Sequence, residues 1–466
     1  MSEPRGQDLA ALARAALAKA GEAEAEVVLR RTRRGFARFA MGELGQHMEL
    51  SEPLAQVRVA RGLRVAQTTT NTLEEAALVR AIHEAARAAE RVPETTGFTG
   101  FADDREPTGA SPARFAESTH ALDAEGRAER VGRILARIQE ERLIAAGALE
   151  TRTTSLAVAT TRGRVVSHDG TSSQVKVWAL ETAGAGGAAG YGGATHRDVD
   201  ALPIEEETER AIRICKSSKN PGSLDVGSYD VVLEPVAVAE LIEWLAMIAF
   251  TATGMEQGTS PLRGRIGERI TGESVTMTES PIDDDSAGLA APFDREGVWR
   301  RKVPLIENGV ARGVLYDRAT ASRAGVVSTG SALLLEGEGE GSVGATAIAM
   351  NGGAAESVDE LVSGVRRGLY ICRLHYVNGL LDPRRAVMTG LTRDGCFLIE
   401  NGKIAHAVGN MRFTDSFLEG LARADGMTRA RQAIPTWNNE AGAYLVPAVR
   451  MRGFRFNGKS QDRSSV

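Results

Sequence analysis

The sequence predicts an α+β fold, with an N-terminal region of mixed helix and strand over residues 1–222 and a β-rich C-terminal region over 223–466. Three observations carry this expectation. Runs of strands stand beside separate helices instead of alternating with them in a regular strand–helix repeat. A chain of 466 residues is long enough for two to four domains or subdomains. The segment Lys216–Gly227 (KSSKNPGSLDVG) is polar and rich in Ser, Gly and Asn-Pro turn signals, and it separates the two halves.

The elements follow in order. Asp8–Ala20 spaces Leu9, Leu12 and Leu17 as an amphipathic helix. Ala25–Leu29 and Gly35–Ala40 read as two strands, and Gln56–Thr69 as a hairpin turning at Arg61-Gly62. Thr72-x-x-Glu75 has the form of a capping box before an Ala-rich helix that runs to about Glu90. Pro93–Pro112 reads as a loop and Ala124–Glu141 as a second long helix. Four strands are then expected at Ala145–Ser155, Leu156–Arg162, Arg164–Asp169 and Gln174–Glu181. Beyond the linker, Tyr229–Leu233 opens a strand and Ala237–Phe250 a helix, and short strands with Gly-rich turns follow, among them Gly297–Gly313 and Cys396–Val408. The hairpins Val57–Gln67 and Phe397–Ala407 have the same form, but no fixed period links the halves.

Composition bounds the function. Hydrophobic residues make up 42% and charged residues 25%, as in an ordinary globular protein. A net charge of −5 argues against general polyanion binding, so no nucleic-acid partner is expected. The densest basic cluster, Arg30, Arg31, Arg33 and Arg34, reads as a solvated strand end. Cys215, Cys372 and Cys396 are too few and too widely spaced for a disulfide framework, and read as reduced thiols. The N-terminus lacks the apolar core of a signal peptide. The longest apolar segment, Val236–Phe250, is broken by Glu240 and Glu243, so a soluble cytoplasmic protein with no membrane partner is expected.

The chemical motifs mostly fail on inspection. His83-Glu84 begins an apparent H-E-x-x-H, but positions 87 and 88 are Arg and Ala, and two imidazoles on one helical face are what a zinc ion requires. His47, His83, His120, His168, His196, His375 and His406 include no pair at ligand spacing within one helix. Gly184–Gly193 superficially resembles a phosphate loop but is followed by an extended segment, so a flexible hairpin or surface loop is expected. No G-x-S-x-G elbow is present. Asp283, Asp284 and Asp285 suit a hard cation, although solvated loop acids are the plainer reading. The most unusual segment is Arg366–Asn378 (RRGLYICRLHYVN). Period-two alternation sets Arg373 and His375 on one face and Leu374 and Tyr376 on the other, which suits a peptide-binding strand edge. The plainer reading of His375 is a hydrogen-bonded structural histidine.

An ordered set of segments carries a resemblance. It runs through Tyr229–Pro235 (YDVVLEP), Gly264–Ile270 (GRIGERI), Leu305–Gly309 (LIENG), Leu315–Arg318 (LYDR), Arg373–Tyr376 (RLHY), Thr392–Gly395 (TRDG) and Phe397–Gly402 (FLIENG), with Arg38-Phe39-Ala40 near the start. In this order the chain resembles the TldD/PmbA family, once described as modulators of DNA gyrase. Each motif alone is weak; the ordered set is specific and covers nearly the whole chain. The resemblance implies a TldD/PmbA-like fold. In its TldD type, a zinc peptidase, H-E-x-x-x-H lies on the helix after the strand matching Tyr229–Leu233, and a cysteine ligand lies near the C-terminus. Here that helix reads Ala239–Met247 (AELIEWLAM) without a histidine, and no cysteine follows Cys396. Glu243 alone, without a metal-bound water, has no activated nucleophile.

The resemblance therefore points to the PmbA type, also called TldE: a non-catalytic subunit paired with a TldD-like zinc peptidase that degrades or trims unfolded peptides. No catalytic residue, metal ligand or cofactor is expected in this chain, and zinc is expected in the partner. Candidate substrate-binding residues are Arg373, His375, Tyr376, Asn378, Arg393 and Asp394. Two alternatives remain open: an independent hydrolase built around Arg373, His375 and Asp394, and a stand-alone peptide-binding homodimer.

Overall fold

Alternation governs the N-terminal half. β1 (Glu24–Ala40) pairs antiparallel with β2 (Glu43–Arg61) on one side and, further along the chain, with β4 (Ile144–Thr160) on the other. β3 (Arg64–Thr70) flanks β2, and β5 (Val165–Leu180) and β6 (Ala189–His196) follow β4, giving a six-stranded sheet ordered β3-β2-β1-β4-β5-β6. A computed structural model describes residues 5–19, 21, 23–105, 113–181, 187–280, 289–333, 343–435 and 442–459. Asp283, Asp284, Asp285, Gly184 and Gly186 lie outside the described residues.

Because successive side chains point to opposite faces, Val27, Leu29, Ala37 and Phe39 share one face of β1. Four helices cover that face. α1 (Gly6–Leu17) and α2 (Glu75–Ala89) pack over Val27, Leu29, Val57 and Ala157. Beyond the short α3 (Glu117–Ala121), α4 (Ala124–Glu140) and α5 (Ile204–Ser217) pack over Ala37, Phe39, Val175 and Val177. The opposite face meets the C-terminal half. Val28 and Val158 contact Phe293 there, and Arg58 joins Glu26 at 2.7 Å and Glu296 at 3.4 Å.

The C-terminal half begins with β7 (Gly227–Leu233), α6 (Pro235–Ala249) and α7 (Ala252–Gln257). The short strands β8 (Met277–Glu279), β9 (Val303–Glu307), β10 (Val310–Ala311) and β11 (Ile348–Met350) follow, with α8 (Arg318–Ala324) before β11 and α9 (Val358–Ser363) after it. Then come β12 (Arg367–Asp382), β13 (Val387–Glu400), β14 (Lys403–Ala407), β15 (Met411–Ser416), α10 (Phe417–Ala422), β16 (Ala424–Ile434) and β17 (Tyr444–Lys459). These strands form one eleven-stranded sheet, in which β17 pairs with both β15 and β7, so β7-β12-β13-β15-β17 closes into a ring. The architecture is α+β.

α6 is apolar nearly all round, the pattern of a helix enclosed on all sides. Val238, Ala239, Leu241, Ile242, Leu245 and Ala249 are buried in the largest core cluster with Leu369, Ile371 and Val449 of the ring. Each large side chain buried there contributes roughly 1.5–3 kcal/mol.

Several expectations are corrected. The two strands read in 25–40 are the single strand β1, and the four read in 145–181 are β4 and β5. Polar residues interrupt the apolar pattern without breaking the strand, because cross-strand partners take them up. Arg33 meets Glu49 at 2.7 Å and Arg34 meets Glu150 at 2.7 Å, so the basic cluster sits in mid-strand instead of at a solvated end. The Thr72–Glu75 capping box does not form: α2 starts two residues later, with Glu74 at its N-cap and no side-chain cap. The glycine segment is no surface loop in its described C-terminal part, because Ala189–Gly193 is buried within β6. Gly190 and Gly192 there have no room for a Cβ, which would stand 2.1 Å from the Ala211 carbonyl oxygen and 2.0 Å from that of Glu207 on α5.

Candidate functional site

Pro235 at the first turn suits the start of α6, where a missing N–H costs nothing. The helix then carries two acids, Glu240 and Glu243, into the interior. The Glu243 residue is 6% exposed and the Glu240 side chain 12%. Opposite Glu240, β12 presents Arg373, whose Nε lies 3.6 Å from Glu240 Oε1. β13 supplies Asp394, whose Oδ2 accepts from Arg373 Nη1 at 2.6 Å and from the Trp178 indole N–H at 3.0 Å.

Two irregularities create this meeting. The β12–β13 register shifts between Ile371 and Arg373, and Asp394 has φ +49°, followed by Gly395 at φ +120°. A left-handed residue followed by such a glycine turns the carboxylate toward its neighbour strand, a geometry a regular strand does not offer.

Trp178 comes from the opposite half. Val177 faces the helices of the N-terminal half, so Trp178 faces the ring. Its ring packs on Tyr191 across β5–β6 with centroids 4.8 Å apart, and the Arg373 guanidinium lies 4.8 Å from the Tyr191 ring and 5.4 Å from that of Trp178. Beside this group, Arg210 of α5 pairs with Glu234 at the N-cap of α6 and lies 3.7 Å from Glu207.

Burial dominates the electrostatics. It pushes the Glu240 carboxyl up to about 8; Arg373 opposes the shift, while Glu243 and Asp394 add to it. Glu240 Oε2 has no hydrogen-bond partner among the described residues. At neutral pH this carboxyl is mainly protonated, and so is a hydrogen-bond donor and a poor proton acceptor. Burial works against charge on Arg373 too, but Asp394 and Glu240 outweigh it and hold the guanidinium more firmly protonated.

The sequence-derived candidates separate into three groups. Arg373 and Asp394 meet as described. Arg393, 8% exposed, lines a cavity of about 300 Å³ where the 218–224 connection, the Glu181 and Gly187–Ala189 ends of β5 and β6, and residues 393–396 and 408–411 converge. His375, Tyr376 and Asn378 lie on the outer half of β12, where the register shifts again between His375 and Asn378. The expected alternation fails there: Leu374 is fully buried while Tyr376, at φ +49°, is 77% exposed. Tyr376 packs on the His375 ring with centroids 4.1 Å apart, and Asn378 Oδ1 accepts from the Leu380 N–H at 2.8 Å. Over Gly368–Ile371, β12 has neighbours on both sides, so that stretch offers no edge to a peptide.

Glu240, Trp178 and Tyr191 escaped the sequence reading as site residues. A signal existed for Glu240, an acid inside an otherwise apolar helix. Trp178 and Tyr191 carry none, since only the tertiary contact of the two halves brings them to Arg373.

A zinc centre does not fit α6. Read from Glu240, the two histidine positions of H-E-x-x-x-H hold Ala239 and Trp244; read from Glu243, they hold Ile242 and Met247. None of these side chains ligates zinc. Among the described residues, no three His, Cys, Asp or Glu side chains are grouped to hold a metal ion. His83, on α2, is exposed.

Comparison with known proteins places this geometry. The fold matches the crystal structure of TldE from Thermococcus kodakarensis with a TM-score of 0.86 at 20% identity, over 96% of this chain and 99% of that one. A metalloprotease of Methanothermobacter thermautotrophicus is 29% identical over 242 residues, 52% of this chain and 51% of that protein. A metalloprotease TldD homologue of Buchnera aphidicola is 25% identical over 277 residues, 57% of this chain and 56% of that protein. The matched part thus spans about half the length of these relatives. The family model described as the PmbA/TldA metallopeptidase C-terminal domain matches residues 226–458, half of the chain and all but the last residue of the strand ring with α6, so the chain belongs to the PmbA/TldD family.

Proposed function

We propose that this chain is a non-catalytic subunit of a TldD-type zinc metallopeptidase and holds unfolded peptides in extended form for a zinc-bearing partner. The observation that carries this reading is the chemistry of α6. Its ligand positions are apolar in both frames, and Glu240 is turned into a buried group with Arg373 and Asp394. With no zinc ligand at those positions, neither acid of α6 has a metal-bound water held beside it to deprotonate in peptide hydrolysis. The exposed outer half of β12, with Tyr376, Leu380 and Leu381 at 77%, 59% and 56% exposure, supports the peptide-holding role. Apolar side chains beside an open strand edge suit an extended chain bound through its backbone. A division near residue 222, a cytoplasmic location and a heterodimer belong to the same proposal.

The test is coexpression with a TldD-type protein from the same genome. The expected outcome is a complex of one chain of each kind by light scattering, which cleaves an unfolded peptide faster than the TldD-type chain alone. Two separate species with no gain in cleavage would refute the proposal.

A further inference from the structure

The cavity beside Asp394 contains a charge that the protein leaves uncompensated. The Arg393 residue is more than nine-tenths buried and lines the cavity; no hydrogen bond or ion pair among the described residues compensates its guanidinium, whose nitrogens stay open to the cavity. The other charges around the cavity are matched. Glu181 pairs with Lys219 at 3.1 Å and accepts from the Ala188 N–H at 3.2 Å. Asp394 is held by Arg373 and Trp178. Lys459 reaches Asp225 and Ser223, each at 3.3 Å. A second wall group is also unsatisfied: Ser218 Oγ is buried without a partner among the described residues. Buried polar groups are normally paired, so the unpaired Ser218 hydroxyl beside an uncompensated guanidinium facing the cavity suits a polar, anionic ligand.

The chemistry narrows that ligand. One uncompensated cation asks for one negative charge. Two fixed carboxylates in the same wall, Glu181 and Asp394, disfavour a dianion such as phosphate. A planar guanidinium matches a planar carboxylate through two parallel hydrogen bonds. A volume of about 300 Å³ takes a carboxylate with one or two residues attached, at the small end of ligand sites. We infer that this cavity binds the carboxylate of a peptide, with Arg393 as its cation and Ser218 as a hydroxyl donor. The inference rests on the peptide-holding reading above; where the carboxylate is the C-terminal one it also gives the bound chain a polarity, because a chain anchored at its end extends from the cavity in one direction only.

Isothermal titration of the purified chain with three N-acetylated hexapeptides tests this. The first is free of Asp and Glu and ends in a free acid; the second is its C-terminal amide; the third is that amide with one internal Glu. The free acid should bind about tenfold or more tighter than its amide, as loss of one charge-assisted bond in a buried site implies. Arg393→Gln should abolish that preference, and Arg393→Lys, which keeps the charge but not the paired donors, should retain part of it. Circular dichroism melts of both variants check the fold. Binding of the Glu-containing amide as tightly as the free acid assigns the cavity to an acidic side chain; binding as weak as the plain amide assigns it to the C-terminus. Either result supports a carboxylate site. Equal binding of free acid and both amides, or a preference that survives Arg393→Gln, overturns the inference alone. Absence of binding by all three peptides overturns the peptide-holding reading with it.

Discussion

The six-stranded sheet and the strand ring use strands of similar length but differ in regularity. β1–β4 and β4–β5 keep register over their whole pairing, and β1–β2 shifts once, between Arg38 and Phe39. In the ring, β12–β13 alone shifts three times, and Tyr376, Ala386, Asp394 and Asn401 have positive φ without being glycine. The candidate site lies on this irregular pair. Unusual backbone is kept where surrounding contacts enforce it, and bulges re-aim side chains. The regular sheet supplies rigid parts, Trp178 and Tyr191, while the irregular pair aims Arg373 and Asp394 at them.

The largest effect expected from disturbing this arrangement comes from Arg373→Met. It leaves Asp394 without its cation, and breaking a buried pair from one side costs about 3–5 kcal/mol. Urea denaturation should show that loss; a change under 1 kcal/mol would mean that the group is not the linchpin of the ring. The next test compares glycines. A Cβ at Gly395 would sit 2.7 Å from Cys372 Sγ and 2.8 Å from Ile214 Cγ2, at φ +120°, whereas at Gly45 on β2 it would meet nothing within 4 Å. Gly395→Ala should cost about 2 kcal/mol or more, and Gly45→Ala should stay within about 0.5 kcal/mol. Equal effects would erase the contrast between the regions.

The pH dependence is smaller and has a definite sign. The folded-state pKa of Glu240, about 8, stands above its ordinary 4.5, so the folded chain holds this proton more tightly than the unfolded chain. The stabilisation is complete below about pH 4.5 and is lost as pH rises through about 8. Glu240→Gln, which cannot ionise, should match the wild type near pH 4 and already exceed it near pH 6 by on the order of 2 kcal/mol. Parallel stability profiles for the two proteins would show that Glu240 is ionised throughout. Tyr376→Ala should have the least effect on stability, within about 0.5 kcal/mol, because the side chain is mostly exposed. The proposed function nevertheless predicts severalfold weaker peptide binding, read by the same titration; unchanged affinity would move the peptide away from the outer half of β12.

Much of the fold was legible. The Arg61-Gly62 hairpin, the helix after Tyr229–Leu233 and the Asn401-Gly402 hairpin all show locally determined turns and periodicity. Strand continuity was not, because Arg33 and Arg34 look like strand ends until Glu49 and Glu150 appear across the sheet. Within the site, Arg373 and Asp394 stood out as charged residues in strand-like sequence. Their joining depends on a register shift and a left-handed Asp, which no period-two pattern reveals. Trp178 and Tyr191 lie some 180–200 positions from Arg373 in sequence and become neighbours only when the two halves dock.

The most direct test of the central claim is peptide hydrolysis by the purified single chain with zinc supplied, with and without a chelator. The account predicts no chelator-sensitive cleavage and no zinc retained per chain after dialysis. Robust cleavage abolished by chelation, with one zinc retained per chain, would contradict it.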